Sequence, residues 1–440
     1  MSIKEKAFAW QKIFREKILL NPKFKWYRRA VWCLSMLWAA AIAMQSIPYY
    51  TAIGAGELAF KAGQYAEAEK QFKTALQESQ HFSATDLRRA KALNNLAELY
   101  RTQGRYKEAE PLYVATAEIG KQLGKNREEY PLSVNNLAAF YRDAGMYPDA
   151  ELQYKRALHL WDTNIRKPQD VKRAAIISGL GKLYRDEGKY PLAEELYKKA
   201  LAIDEAALGA NDLELAVVLD NLGGVYRDQG RLKESEQMYL RALQIDRSGL
   251  GADHPYTATD LNNLAGLYRD MGRLAEAEPL YQHALQVRMK ALGAQHPLVA
   301  KSLLGLGELR KQQNKPVEAE RFYQQAIAIQ QKALGDKHPD LATTYDALGT
   351  FYTSQRQFAK AKLALDKALS IRRSVLPCEH PDLGMTYMHI AQLQLASGNV
   401  DSARQSAQKA VDILNHALGI EHPATKSALA TLRWTQTKSS

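Results

Sequence analysis

Five histidines at a fixed spacing are the residues whose chemistry has to be decided first. Each is followed by proline, and successive members lie 42 residues apart: His254-Pro255, His296-Pro297, His338-Pro339, His380-Pro381 and His422-Pro423. An imidazole can serve as a general base or a metal ligand, but both roles need groups that converge on one point. Proline is favoured at the first position of a helix, and the preceding Leu-Gly can close the helix before it. An earlier connection has Asp212 at the equivalent place, so we predict a structural role at helix starts.

The same period runs through most of the chain. A glycine, or another residue at the same place, recurs at spacings of 41 to 43 residues: Gly63, Gly104, Gly145, Gly188, Gly230, Gly272, Asn314, Arg356 and Gly398. A fixed period in this range is typical of stacked supersecondary units. Every long segment between these positions has helical periodicity, which predicts an all-α fold.

Tyrosines also recur with this period and could stack on nucleic-acid bases. One set follows most of the Leu-small pairs, from Leu96-Ala97 onward, and a second set follows most of the glycine positions. The sets are Tyr100, Tyr141, Tyr184, Tyr226, Tyr268 and Tyr352, and Tyr113, Tyr154, Tyr197, Tyr239, Tyr281 and Tyr323. Both sets stand at core spacing relative to the leucines and alanines, so we predict that they pack between helices.

Together these residues resemble the tetratricopeptide repeat. The 42-residue period, with "NNLAGLYRDMGRLAEAEPLYQHAL" and "ALGAQHP", is similar to the kinesin-light-chain subclass. The resemblance covers residues 51–432 and implies about nine antiparallel helix pairs in a right-handed superhelical solenoid, with the first helices lining the concave side. The segment "HPATKSALATLRW" is predicted to form a capping helix, and residues 433–440 a disordered tail.

The resemblance also implies a peptide-binding groove on the first helices. In related repeats an asparagine before the repeated leucine bonds the backbone of an extended peptide; here these are Asn95, Asn136, Asn221 and Asn263. Gly179 interrupts the series. Further candidates are Arg101, Arg142, Arg185, Arg227 and Arg269, and the acids Asp143, Asp186, Asp228 and Asp270. The arginines could bind acidic groups of a peptide; alternatively, each pairs with an aspartate of a neighbouring repeat.

The N-terminal region has a different composition from the repeats. Residues 1–29 carry nine basic and two acidic residues, which is +7 of the net charge of +12. Residues 30–50 carry no charge and are flanked by tyrosines and tryptophans. We therefore expect a basic amphipathic cytoplasmic segment, then a transmembrane signal anchor that places the repeats on the far side of the membrane. The alternatives are a cleaved signal, which would give an exported soluble protein, or a buried first helix.

Enzyme and metal motifs are absent from the sequence. There is no G-x-x-x-x-G-K, H-E-x-x-H, G-x-S-x-G or C-x-x-C pattern, and the two cysteines, Cys33 and Cys378, lie far apart. Beyond residue 29 the net charge is only about +5, which is weak support for a nucleic-acid surface. We expect no enzyme activity, cofactor, metal or small-molecule substrate. The predicted function is a membrane-tethered scaffold that binds an extended peptide or partner protein in the concave groove. The alternative is a regulatory or assembly subunit of a membrane complex that docks through its convex face or C-terminal repeats.

Overall fold

The computed structural model describes residues 25–437, and between 25 and 45 it describes only the side chains of Trp32, Cys33 and Met36. This part contains 19 α-helices and no strand. They are α1 (Lys25–Lys61), α2 (Tyr65–Glu78), α3 (Leu87–Thr102), α4 (Tyr106–Leu123), α5 (Glu129–Asp143), α6 (Tyr147–Leu160), α7 (Val171–Asp186), α8 (Tyr190–Leu208), α9 (Glu214–Asp228), α10 (Leu232–Leu250), α11 (Pro255–Asp270), α12 (Leu274–Leu292), α13 (Pro297–Gln312), α14 (Pro316–Leu334), α15 (Pro339–Ser354), α16 (Phe358–Val375), α17 (Pro381–Ala396), α18 (Val400–Leu418) and α19 (Pro423–Thr437).

The helices form nine consecutive hairpins and a final single helix. Each odd-numbered helix, the first helix of its repeat, packs along the even-numbered second helix that follows it. In α19, Ala428 and Leu432 are buried against α17 and α18, so this helix covers the last core edge. The predicted solenoid of nine pairs with a cap is confirmed. Residues 433–437, predicted as part of a disordered tail, are the end of α19.

The five histidines cap the helices that they precede. The Nδ1 atom of each accepts the backbone N–H of the residue two positions later, at 3.0 to 3.2 Å. Asp86, Asp170 and Asp212 do the same at earlier repeats, at 2.8 to 3.0 Å. Such a bond satisfies a backbone donor that has no partner within the helix. The structural role predicted for the His-Pro pairs is therefore confirmed.

Some of these histidines have a second role that the sequence did not predict. The Nε2 atom of His338 contacts the backbone carbonyl of Thr102, 236 residues earlier, at 2.5 Å. Because Nδ1 accepts a backbone N–H, Nε2 carries the proton and donates it. The separation is between five and six 42-residue repeats, so successive turns of the solenoid touch each other here.

The contact between turns recurs along the solenoid. The imidazoles of His296 and His380 lie against Gly63 and Gly145, which end two first helices of the previous turn. The glycines that end the first helices make room for this approach. A Cβ at Gly104 would lie 2.5 Å from Cδ of Pro339, so a larger residue would push the turns apart.

The N-terminal helix corrects the membrane prediction. No helix within residues 25–437 has an apolar stretch long enough to cross a membrane. The anchor predicted over residues 30–50, and the topology with a cytoplasmic N-terminus and repeats on the far side, are therefore wrong. The strongly apolar run is short, and α1 continues from it into the first repeat. Residues 1–24, the greater part of the predicted amphipathic segment, lie outside the described part.

Tyr49 shows why the end of that run looked like a membrane interface. It is 1% exposed and packs in the core of the first repeats with Ala52 and Ile53. Its hydroxyl donates to the carbonyl of Arg88 at 2.7 Å. The aromatic residue after the apolar run therefore belongs to the solenoid core.

Candidate functional site

The first helices form the inner wall of the solenoid. Successive first helices, such as α5 and α7 or α15 and α17, contact each other, and they approach more closely than successive second helices do. In a curved stack of hairpins, the helices on the inside are the ones that come together. The predicted groove residues all lie on these helices.

Three of the four predicted asparagines bind the preceding repeat. The Nδ2 atom of Asn136 donates to Oδ1 of Asn94 at 2.9 Å, and that of Asn263 donates to Oδ2 of Asp220 at 2.9 Å. The Nδ2 atom of Asn95 donates to Oε1 of Glu57 at 3.2 Å. Their amides therefore link neighbouring first helices, a role that the resemblance did not imply.

Glycines interrupt this series for a steric reason. Gly179 and Gly305 stand where an asparagine would continue it. A Cβ at Gly179 would lie 2.5 Å from Cε1 of Tyr154, and one at Gly305 would meet Tyr281 in the same way. The buried tyrosine of the previous repeat fills that space. The acceptors that an asparagine would have bonded, Oδ1 of Asn135 and of Asn262, are buried and have no donor among the described residues.

The arginines and aspartates form a second series between repeats. The pairs are Arg101 with Asp143, Arg142 with Asp186, Arg185 with Asp228, and Arg227 with Asp270. Arg269 instead pairs with Asp270 on its own helix, at 2.9 Å. Four of the five arginines thus pair with an aspartate of a neighbouring repeat, which is the alternative that the sequence left open. Peptide binding by these residues stays a prediction.

On α5 and α7, burial and neighbouring charges shift the pKa values of the charged side chains of this series. Burial raises the pKa of Asp186 above its ordinary value. Burial also acts upward on Asp143, but the charges of Arg142 and Arg101 outweigh it and lower the pKa of this carboxyl. The charge of Arg142, followed by burial, lowers the pKa of Lys182. These charged groups are held against one another, so they stiffen the inner wall.

The tyrosines of the second helices lie in the core, as predicted. Tyr113, Tyr154, Tyr197, Tyr239, Tyr281 and Tyr323 are all buried. The hydroxyl of Tyr113 donates to Glu98 at 2.8 Å, and that of Tyr323 donates to Glu308 at 2.6 Å. Rings buried between helices cannot stack on a base.

A group of buried acids was not predicted from the sequence. Asp220 on α9, Asp246 on α10 and Asp260 on α11 line one cavity. The signal was present in the repeat period, because residues 288 and 372, at whole multiples of 42 from Asp246, are arginines. A charge reversal at a buried repeat position indicates a local change of role.

Comparisons with known proteins agree with the repeat architecture. A family model described as tetratricopeptide repeat matches residues 50–122, 130–206, 214–285, 260–332 and 315–374. A second model with the same description matches residues 383–424. The search of curated proteins finds no match.

Several solved structures resemble the chain. BtubC (BKLC) from P. vanneervenii is 26% identical, with a TM-score of 0.40, over 52% of this chain and 90% of that chain. A putative kinesin light chain from Podosopora anserina is 23% identical, with a TM-score of 0.39, over 46% and 97%. A Rap protein complexed with Competence and Sporulation Factor is 14% identical, with a TM-score of 0.50, over 79% and 98%. The last resemblance concerns the fold alone.

Tetratricopeptide repeats typically form non-enzymatic scaffolds for protein–protein interactions. Because the family models match most of the sequence, the chain belongs to the tetratricopeptide repeat family.

Proposed function

We propose that this protein is a scaffold that binds an extended polypeptide along the inner wall of its first helices. One observation carries the proposal. Between α9 and α11, the inner wall leaves Val217 and Tyr256 exposed, at 64% and 67%. In the same cavity, Oδ1 of Asp220 and Oδ2 of Asp260 have no donor among the described residues. Exposed apolar side chains next to unpaired acceptors are what a bound polypeptide would cover.

The position of Asn221 supports the assignment of the binding surface to this part of the inner wall. Val217 and Asn221 are four residues apart on α9 and therefore share a helix face. Asn221, unlike the other three predicted asparagines, makes no side-chain hydrogen bond to a described residue. Its carboxamide can donate to a carbonyl and accept from an N–H of an extended backbone.

The paired charges make this surface stiff before binding. The Nε atoms of Arg185 and Arg227 donate to Oδ2 of Asp228 and Asp270 at 2.6 and 2.7 Å. These links fix the first helices relative to one another, and a preorganised wall loses less conformational entropy on association. The arginines thus contribute to binding by holding the wall.

The binding surface is confined to the middle of the chain. Arg310, Thr353 and Leu395 interrupt the Tyr-Arg pattern in the last three repeats. Arg310 is buried and pairs with Glu278 and Glu318. We therefore assign the peptide groove to residues 85–290.

Site-specific crosslinking in cells tests this assignment. A photoreactive p-benzoylphenylalanine replaces Val217 on the inner wall, and in a matched protein it replaces Leu240, exposed on α10 of the same repeat. We expect covalent adducts from position 217 and none from position 240. An added Asn221→Ala change should weaken the adduct at 217, because it removes an amide that has no internal bond to lose.

Two outcomes would contradict the proposal. Adducts only at position 240, or at C-terminal positions such as Leu363 on α16, would place the partner on the outer face. Equal adduct yields at position 217 with Asn221 and with Asn221→Ala would show that the Asn221 amide takes no part in binding.

A further inference from the structure

Three carboxylates meet at the junction of α9, α10 and α11 without a cation. Asp260 is 2% exposed and Asp246 is 5% exposed. Asp220 accepts one bond from Asn263, at 2.9 Å, on Oδ2. No donor among the described residues reaches Oδ1 of Asp220 or Oδ2 of Asp260.

The electrostatics of this group are unfavourable in the free protein. Burial, followed by the charges of Asp220 and Asp246, raises the pKa of Asp260 far above its usual range. Burial also raises the pKa of Asp246, and that of Asp220 to about 6. Buried carboxylates that repel one another are stabilised by a cation that enters the site.

The three aspartates line a cavity of about 360 Å³, the acidic junction pocket. Its wall is completed by Leu213, Val217, Leu250 and Tyr256, with Glu214 adding another carboxyl group. The pocket thus combines an acidic end with an apolar wall that includes an aromatic ring.

The same repeat positions hold an arginine elsewhere in the solenoid. One period after Asp246 lies Arg288, whose Nη1 donates to Oγ of Ser302 at 2.8 Å and to the carbonyl of Leu298 at 3.1 Å. Three periods after Asp246 lies Arg372, whose Nη1 is 3.2 Å from Oδ2 of Asp346. Asp346 and Asp220 are equivalent positions. The repeat backbone therefore accommodates a guanidinium at this place.

From this geometry we infer that the acidic junction pocket binds an arginine side chain supplied by the partner polypeptide. The inference rests on the proposed function, since Val217 and Tyr256 belong to the same inner wall. The aliphatic part of the arginine packs on Leu213 and Val217, and its guanidinium reaches the three carboxylates. Tyr256 can add a cation–π contact.

The arrangement favours a side chain over a metal ion. Among the residues that the structure describes, no group of three His, Cys, Asp or Glu side chains is placed to hold a metal. Divalent cations need several oxygens at short, defined distances, whereas a guanidinium spreads its donors over a wider fork. The apolar wall is of use to a side chain and of none to an ion.

Peptide pools with one fixed position test the inference on the full chain. The probes are nine-residue pools, randomised except for a central arginine, its uncharged isostere citrulline, or lysine. Binding is measured by fluorescence anisotropy to the unmodified chain and to the Asp246→Asn, Asp260→Asn and Asp204→Asn variants. Asp204 is the matched control, because it occupies the position of Asp246 one repeat earlier, where Ser178 and Val218 replace the other two acids.

We expect the arginine pool to bind at least about tenfold more tightly than the citrulline pool. This preference should disappear in Asp246→Asn and Asp260→Asn and persist in Asp204→Asn. Circular dichroism of each variant checks folding, and because each change replaces a carboxyl group by an amide of the same shape, neither pocket variant should lose helix content.

The other outcomes overturn the inference in distinguishable ways. If all pools bind equally and Asn221→Ala weakens their binding, the proposed groove stands and the inferred arginine pocket is rejected. Absence of binding by every pool would count against both. Calcium or magnesium binding that is lost in Asp260→Asn, without an arginine preference, would make the pocket a metal site.

Discussion

The acidic junction pocket and the junction around Arg372 solve the same packing problem with opposite charges. At the second junction, Arg372 on α16 is 4% exposed and contacts Asp346 and Thr386. His389 also bonds Asp346, at 2.9 Å. In the acidic junction pocket, Asp246 stands at the position equivalent to Arg372, and Asp260 at the position equivalent to Thr386. The helices keep the same arrangement at both junctions. A repeat junction can therefore replace its own arginine, such as Arg372, by an arginine of a bound partner without a change of fold.

The largest effect is expected when the internal cation is removed. Arg372→Ala leaves Asp346 buried without its guanidinium and should lower the free energy of unfolding by about 3–5 kcal/mol. Thermal and urea denaturation followed by circular dichroism measure this. Arg373→Ala, at an exposed neighbour, is the control and should cost less than about 1 kcal/mol. Equal losses in the two variants would show that the junction arginine is not special.

A smaller change of opposite sign is expected at the acidic junction pocket. Burial and the charges of Asp220 and Asp246 keep the Asp260 carboxyl protonated at pH 7.5, so folding has to bind a proton there. Asp260→Asn supplies a neutral group of the same shape and should raise the free energy of unfolding by about 1–2 kcal/mol, the usual range for a single stabilising change. The readout is again denaturation at pH 7.5. A loss of stability would indicate that the aspartates already have a favourable partner in the free protein.

The two junctions should also respond differently to acid. The pKa of Asp220 is raised to about 6, so the folded state binds more protons than the unfolded state between about pH 4 and 6. The acidic junction pocket therefore gains stability as the pH falls through this window. The pKa of Asp346 is lowered, against the effect of burial, by its bond to His389 and by Arg372, so its stabilising contribution is lost only below about pH 4. The advantage of Asp260→Asn should shrink between pH 7.5 and 4.5 in melting experiments. An unchanged advantage would contradict the assignment.

Another pair of equivalent residues extends the comparison, with the smallest expected effect. His338 and His254 both cap helices, but only His338 is joined to a carbonyl of the previous turn, that of Thr102. His338→Ala should therefore cost about 1 kcal/mol more than His254→Ala at pH 7.5. Burial lowers the pKa of His338, so this excess is present above about pH 6.5 and is lost as the pH falls through the lowered pKa. Melting temperatures at pH 7.5 and 5 measure it, and equal losses at pH 7.5 would exclude a contribution from the contact between turns.

Much of the fold could be predicted from the sequence because each repeat is specified locally. The recurring glycines end the first helices at positive φ, from Gly63 at 70° to Gly398 at 86°. The histidine and aspartate caps act within two residues of themselves. The tyrosines pack on alanines in their own and adjacent hairpins. All of these contacts lie within one or two periods of the chain, where a pattern in the sequence can reveal them.

The contacts of the candidate site were harder to predict, because each of its side chains has several possible partners within reach. The asparagines and arginines were correctly placed on the first helices, yet Asn263 turns to Asp220 and Arg227 turns to Asp270. Similarly, the apolar run before Tyr49 could bury itself in a membrane or in protein. Type and spacing alone do not say which partner a polar or apolar group finds.

The sequence by itself determined the period, the nine hairpins, the helix caps and the buried tyrosines, since these depend on residues close together in the chain. Only the tertiary structure decided that Tyr49 lies in the first core, that His338 meets Thr102, and that three aspartates share one cavity. Each of these depends on the angle between successive hairpins. Small rotations at every junction add up along the solenoid, and they determine which distant residues finally touch.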